Sequence, residues 1–184
     1  MISPAQFQEN LAASGLFTAE EVQAILEPLQ ARQVLDAAEL AHELVRQGIL
    51  TRYQAAAIYQ GKLRGLILGD YVILEKLGAG GMGLVFKAQH RRMKRLVALK
   101  LLAPSITRSR TAVERFQREV EAAAKLVHSN IVTAYDAGEH NQVHYLVMEF
   151  VDGRNLEEIV RTRGPLSVRR AVNYTLQAAR GLLH

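Results

Sequence analysis

The chain has 184 residues, no cysteine and a formal net charge of +5, a length that allows one ordinary domain or a small one beside a medium one. The lack of cysteine excludes a disulfide scaffold and fits a reducing compartment. No uninterrupted apolar run nears the roughly 20 residues that span a bilayer and Met1-Ile2-Ser3-Pro4 lacks the basic opening of a secretory signal, so a soluble, cytoplasmic protein without a membrane segment is expected.

Charge is unevenly spread. Residues 1–66 carry five Lys/Arg against seven Asp/Glu, and the remainder carries 18 against 11. The densest basic cluster, Arg91, Arg92, Lys94 and Arg95, falls in an expected turn with no aromatic interleaved. Single-stranded nucleic acid is held by charge together with stacking rings, so a solvated turn is the better reading and no nucleic-acid partner is expected.

Residues 3 to about 61 read as four helices, near 4–14, 19–31, 37–47 and 52–60. Pro4 suits a first helical position behind Ser3, Thr18 with Glu21 and Thr51 with Gln54 form capping boxes, and Asp36 with Glu39 does the same with an acidic cap. Gly15, Gly48 and Gly61 supply left-handed helix ends. A shift of 33 residues aligns Phe7 with Leu40, Leu11 with Leu44, Gly15 with Gly48, Thr18 with Thr51 and Ile25 with Ile58. Two copies of one helical hairpin are therefore expected to bury their apolar stripes against each other, as a domain over residues 1–63. Nothing in it suggests chemistry. A module that binds a protein partner and a passive appendage fit it equally well.

Lys62 to Asp70 reads as a linker, and Tyr71 to Leu77 as a strand ending in a tight loop. Glycines 78, 80 and 83 then form a G-x-G-x-x-G pattern, whose missing side chains let backbone N–H groups approach phosphate oxygens. A dinucleotide fingerprint would need a helix next and an acidic residue about 20 positions on. Here the loop runs into Leu84-Val85-Phe86, which favours a strand, and position 103 is Ala. A P-loop would need Gly-Lys-Ser/Thr, and Leu84 follows Gly83. What remains is strand, glycine loop, strand, basic turn, and a strand ending Val97-Ala98-Leu99-Lys100.

After a break at Ala103-Pro104-Ser105, Thr111 is expected to cap a helix with Glu114, and Val113, Phe116, Val120, Ala123 and Val127 fall on one face. Three acids compete to face Lys100. At about 100 degrees per residue Glu119 lies roughly 90 degrees from the apolar face, Glu121 further and Glu114 nearly opposite, a narrow preference that leaves the choice open. His128-Ser129-Asn130-Ile131-Val132 precedes two strands, 131–135 and 143–148, expected to join across Gly138 to Gln142. His140 and His144 straddle turn and strand, so no metal site is expected. Met148-Glu149-Phe150-Val151-Asp152-Gly153 follows. Then come a short helix, 156–163, stopped by Gly164-Pro165, and a longer one capped by Ser167.

Over residues 70–184 these motifs, in this order, resemble the first part of the kinase domain of bacterial Hanks-type serine/threonine protein kinases. The resemblance implies an α+β fold. An all-helical domain would be followed over 64–151 by a kinase-like small lobe and hinge, with a five-stranded antiparallel sheet and the family's αC helix, and over 152–184 by the first helices of the large lobe. It implies ATP as ligand, covered by Gly78, Gly80 and Gly83, with Lys100 on the α- and β-phosphates. Arg115-Phe116-Gln117-Arg118-Glu119 is similar to the family segment that carries the lysine's partner, and on that ground Glu119 is chosen. Met148 would be the gatekeeper, the Glu149 carbonyl and Val151 N–H would meet the adenine edge, Asn155 would lie near the ribose, and Leu77, Val85 and Ala98 would form the upper wall. Ser129 stands where the family has proline. The catalytic loop His-Arg-Asp and the Asp-Phe-Gly motif do not occur in the 184 residues, so Mg2+ would be held only in a longer chain. The implied activity is transfer of the ATP γ-phosphoryl to a protein hydroxyl, with the 184 residues inactive alone. The competing reading is a non-catalytic nucleotide-binding or scaffold module.

Overall fold

The computed structural model describes residues 2–30, 36–80, 83–102 and 110–184. They divide into two compact units, Met1–Val97 and Ala98–His184.

The first unit opens with four helices, α1 (Pro4–Ala13), α2 (Ala19–Gln30), α3 (Ala37–Arg46) and α4 (Arg52–Tyr59). Each starts where the sequence supplies an acceptor for orphan N–H groups. Ser3 Oγ accepts from the Gln6 N–H and Asp36 Oδ1 from the Glu39 N–H. Thr18 with Glu21 and Thr51 with Gln54 exchange both bonds of a capping box. Gly15, Gly48 and Gly61, at φ of +70, +72 and +66 degrees, follow the helix ends. Residues at the 33-residue spacing are buried together. Phe7 and Leu40, Leu11 and Leu44, and Val22 and Ala55, all 33 apart, are buried in one cluster, which Leu66 joins from beyond the last helix.

Three strands complete this unit, β1 (Ile67–Leu68), β2 (Tyr71–Gly80) and β3 (Gly83–His90). β1 folds back on β2 across Gly69-Asp70, with Gly69 at φ +56 degrees. β2 pairs antiparallel with β3, but its register slips twice and leaves Leu74 and Leu77 unmatched. The basic turn after β3 is built around His90, whose Nδ1 accepts from the N–H groups of Arg92 and Met93, while Arg92 pairs with Asp70 at 3.2 Å.

β4 (Leu96–Leu102) crosses the division between the units. The second unit continues with α5 (Arg110–Ala124), β5 (Ala134–His140), β6 (Val143–Glu149), α6 (Leu156–Arg163) and α7 (Val168–Leu182). Its core joins Leu102, Phe116 and Leu146, with Val113, Val120 and Ala134 packed around them. The strands take the order β1-β2-β3-β4-β6-β5.

Four local expectations are corrected. The sheet has six strands, not five, because Gly69 lets the stretch read as linker turn back and pair. Thr111, expected just ahead of α5, lies within it, since the helix already includes Arg110, and the expected break at 103–105 lies outside the described residues. Val127 lies past the end of α5 and is 74% exposed, so the apolar face stops short of it. Finally, β5 and β6 turn at Asn141-Gln142, both at positive φ as a tight hairpin requires, with Gly138 inside β5. Gly138 serves a close approach instead: a Cβ there would lie 2.7 Å from the Tyr145 hydroxyl.

Leu44 is fully buried among both helical hairpins. Leu44→Ala should therefore destabilise the first unit by about 2–5 kcal/mol, measured by chemical unfolding followed through helical circular dichroism.

Candidate functional site

Five of the residues singled out in the sequence, Leu77, Gly78, Gly80, Gly83 and Val85, lie on the β2–β3 hairpin. Gly78 is register partner to Val85, and Gly80 to Gly83. Gly83 has φ +145 degrees, a conformation that glycine alone adopts readily. Gly78 and Gly80 are different. Neither has positive φ, and a Cβ on either would meet nothing within 4 Å. Among the described residues, packing thus gives no reason for glycine at these two positions. Leu77, unmatched in the ladder, is 44% exposed.

In the second unit, Ala98 is buried on β4, and two residues later Lys100 Nζ donates a hydrogen bond to Glu119 Oε1 of α5. The helix delivers Glu119 because Phe116, one turn earlier, is fixed in the core with Leu102 and Leu146. Among the three acids that competed, Glu121 is exposed and Glu114 half-buried. The lysine and glutamate side chains keep 22% and 34% of their exposure. Glu119 Oε2 is buried and has no hydrogen-bond partner among the described residues. A carboxylate oxygen left in that state costs free energy unless something answers it.

The expected hinge begins at the end of β6. Met148 pairs with Ala134 across the β5–β6 ladder. Glu149 donates its N–H to the Thr133 carbonyl at 2.9 Å, and its Oε2 accepts from the Thr133 N–H at 3.3 Å. Val151 is exposed. Asn155 is the N-cap of α6, its Oδ1 accepting from the Glu158 N–H at 2.7 Å. That oxygen already has its bond, a use the sequence signal Asn-x-x-Glu could have shown. Before β5, His128 Nδ1 accepts from the Asn130 N–H and the His128 carbonyl from the Ile131 N–H, so hydrogen bonds close this turn where Ser129 occurs. No group of three or more potential metal-ligating side chains occurs among the described residues. None of the described helices is long and apolar enough to cross a membrane.

Comparison with known proteins gives these residues a context. Residues 71–184 match the model of the protein kinase domain. Serine/threonine-protein kinase PrkC of Bacillus subtilis is 38% identical over 118 residues, which are 64% of this chain and 18% of that protein. Serine/threonine-protein kinase PknB of Mycolicibacterium smegmatis is 41% identical over 116 residues, 61% of this chain and 19% of that one. The chain thus spans about a fifth of the length of these relatives. Among solved structures, the PknI kinase domain of Mycobacterium tuberculosis matches with a TM-score of 0.56 at 32% identity, covering 64% of this chain and 48% of that one. The part that matches the family model, residues 71–184, includes Lys100 and Glu119.

The Lys100–Glu119 pair is partly solvated, so its coupling should be modest. A double-mutant cycle with Lys100→Met and Glu119→Gln, read by thermal or urea unfolding, should give a coupling of about 0.5–1 kcal/mol, reduced by added salt.

Proposed function

The chain belongs to the protein kinase domain family, and from that premise we propose that it is the nucleotide-binding part of a serine/threonine protein kinase that uses ATP to phosphorylate protein hydroxyls. The ion pair of Lys100 with Glu119 carries this reading. A strand lysine fixed by a helix carboxylate is a positioned cation, suited to phosphate oxygens, and phosphoryl transfer relies on such positioning and charge stabilisation. Gly78 and Gly80 add support, since a side chain at either would meet nothing among the described residues.

In this proposal Lys100 holds the α- and β-phosphates and Glu119 holds Lys100, with its unpartnered Oε2 available to a second donor. The backbone of Gly78, Gly80 and Gly83 covers the phosphates. Leu77, Val85 and Ala98 form one apolar wall, and Met148 is the gatekeeper. The Glu149 carbonyl and the Val151 N–H meet the adenine edge, and Asn155 stands by the ribose. A flat heterocycle needs apolar walls with one donor and one acceptor at fixed spacing, which an extended backbone supplies. Bound Mg2+ would neutralise phosphate charge, but the motifs that hold it in the family are not among the 184 residues.

We further take residues 1–63 as an all-helical domain able to meet a protein partner, 64–151 as small lobe and hinge, and 152–184 as the start of the large lobe. The absence of cysteine suits the cytoplasm.

Purified residues 1–184 should bind a fluorescent ATP analogue weakly, and Lys100→Met should weaken binding about tenfold or more by removing a charged donor. With radiolabelled ATP and a protein substrate, no phosphate should be transferred. Transfer abolished by Lys100→Met would contradict this and place a catalytic carboxylate within the chain, with Asp136 and Asp152 the first to test.

A further inference from the structure

The start of α4 does more than cap a helix. Thr51 Oγ1 accepts from the Gln54 N–H and donates its own proton to the Leu74 carbonyl of β2 at 2.6 Å. Gln54 Oε1 accepts from the Thr51 N–H, while its Nε2 donates to the Ile73 carbonyl at 2.8 Å. The two side chains therefore close a capping box and bind two consecutive carbonyls of a strand. Gln54 is only 4% exposed, so its amide has no ready exchange with water. The donor pattern fixes its orientation, because only the amide nitrogen can serve the Ile73 carbonyl.

The strand residues they hold are those at the first register slip, where Leu74 has no partner on β3. A bulge interrupts the ladder locally, and the helix supplies donors there. The residue between them completes the contact: Tyr53 packs edge-on against Phe86 of β3, ring centroids 5.9 Å apart. Phe86 in turn is the register partner of Lys76, two residues before Gly78. One turn of α4 thus touches both strands of the glycine hairpin.

The internal repeat shows that capping alone does not call for this arrangement. Thr18 and Glu21 occupy the equivalent positions in the first hairpin and make the same capping box, with Glu21 exposed. A carboxylate caps as well as an amide but cannot donate to a carbonyl. Gln at position 54, where the first copy has Glu, is the difference that allows the second copy to grip a strand.

We propose that Thr51 and Gln54 are positioning residues that lock the bulge of β2 to α4, so that the helical repeats set the geometry and rigidity of the hairpin that covers the nucleotide. The inference rests on the kinase reading of that hairpin only for its effect on nucleotide binding. The clamp itself can be tested apart from it.

Amide hydrogen exchange, read by mass spectrometry on residues 1–184, separates the possibilities. Gln54→Glu keeps the cap and loses the donor, Thr51→Val loses both hydroxyl bonds, and Thr51→Ser keeps them. The first two should speed exchange across residues 75–88 by about three- to tenfold, with peptides from α1 and α2 unchanged. Thr51→Ser should exchange like the parent chain. Affinity for a fluorescent ADP analogue should fall in the same two variants and hold in Thr51→Ser. Exchange that rises only within residues 51–59, with the hairpin unmoved, would overturn the clamp. Should Gln54→Glu loosen α1 and α2 as well, Thr51→Val decides by the same criterion. If the parent chain binds no ADP analogue, the kinase reading fails while the exchange pattern still judges the clamp.

Discussion

A backbone carbonyl taken out of water must find a donor, and in β2 that constraint shapes much of the first unit. The strand pairs with β3 as far as Ile73, skips Leu74, resumes at Glu75 and skips again at Leu77. Slips of this kind increase local twist and turn a strand toward a new direction, and this one leads into the three glycines. The carbonyls of Ile73 and Leu74 are answered by Gln54 and Thr51. On the same strand the Ile73 N–H donates to the carbonyl of Leu66, itself part of the helical core. The helical repeats are therefore joined to the strand by hydrogen bonds as well as by apolar contact.

In the second unit the comparable constraint is a charge. Lysine on a strand with most of its side chain covered needs a fixed counter-charge, and α5 provides one. The helix is held by Phe116 in the cluster with Leu102 and Leu146, so an apolar contact decides where a carboxylate stands. Packing sets the position and electrostatics uses it.

Much of this was legible in the sequence because the signals were local. Capping boxes, the left-handed glycines and the 33-residue repeat gave four helices to within a residue or two at most ends. The choice of Glu119 was not legible from helical angles alone, since three acids lay within reach of the argument and only the resemblance separated them. The β5–β6 turn was misplaced because Gly138 is an obvious turn former, whereas Asn141-Gln142 is a weaker signal, and Gly138 answers to Tyr145 across the strand. Register slips at Leu74 and Leu77 leave no mark in composition. The bonds from Thr51 and Gln54 were hidden for a related reason: they join positions about 20 residues apart, and a capping box already accounted for both side chains. The one available clue was the replacement of Glu21 by Gln54 between repeats.

The central claim is that Lys100 is the phosphate-facing lysine of a kinase nucleotide site. An acyl-phosphate derivative of ATP, which transfers its acyl group to a lysine amine held beside the phosphates, tests this residue directly. Mass spectrometry of the treated chain should find Lys100 acylated in preference to Lys62, Lys76, Lys87, Lys94 and Lys125, with the modification suppressed by excess ATP. Acylation spread evenly over the lysines, or at Lys100 but indifferent to ATP, would contradict the account.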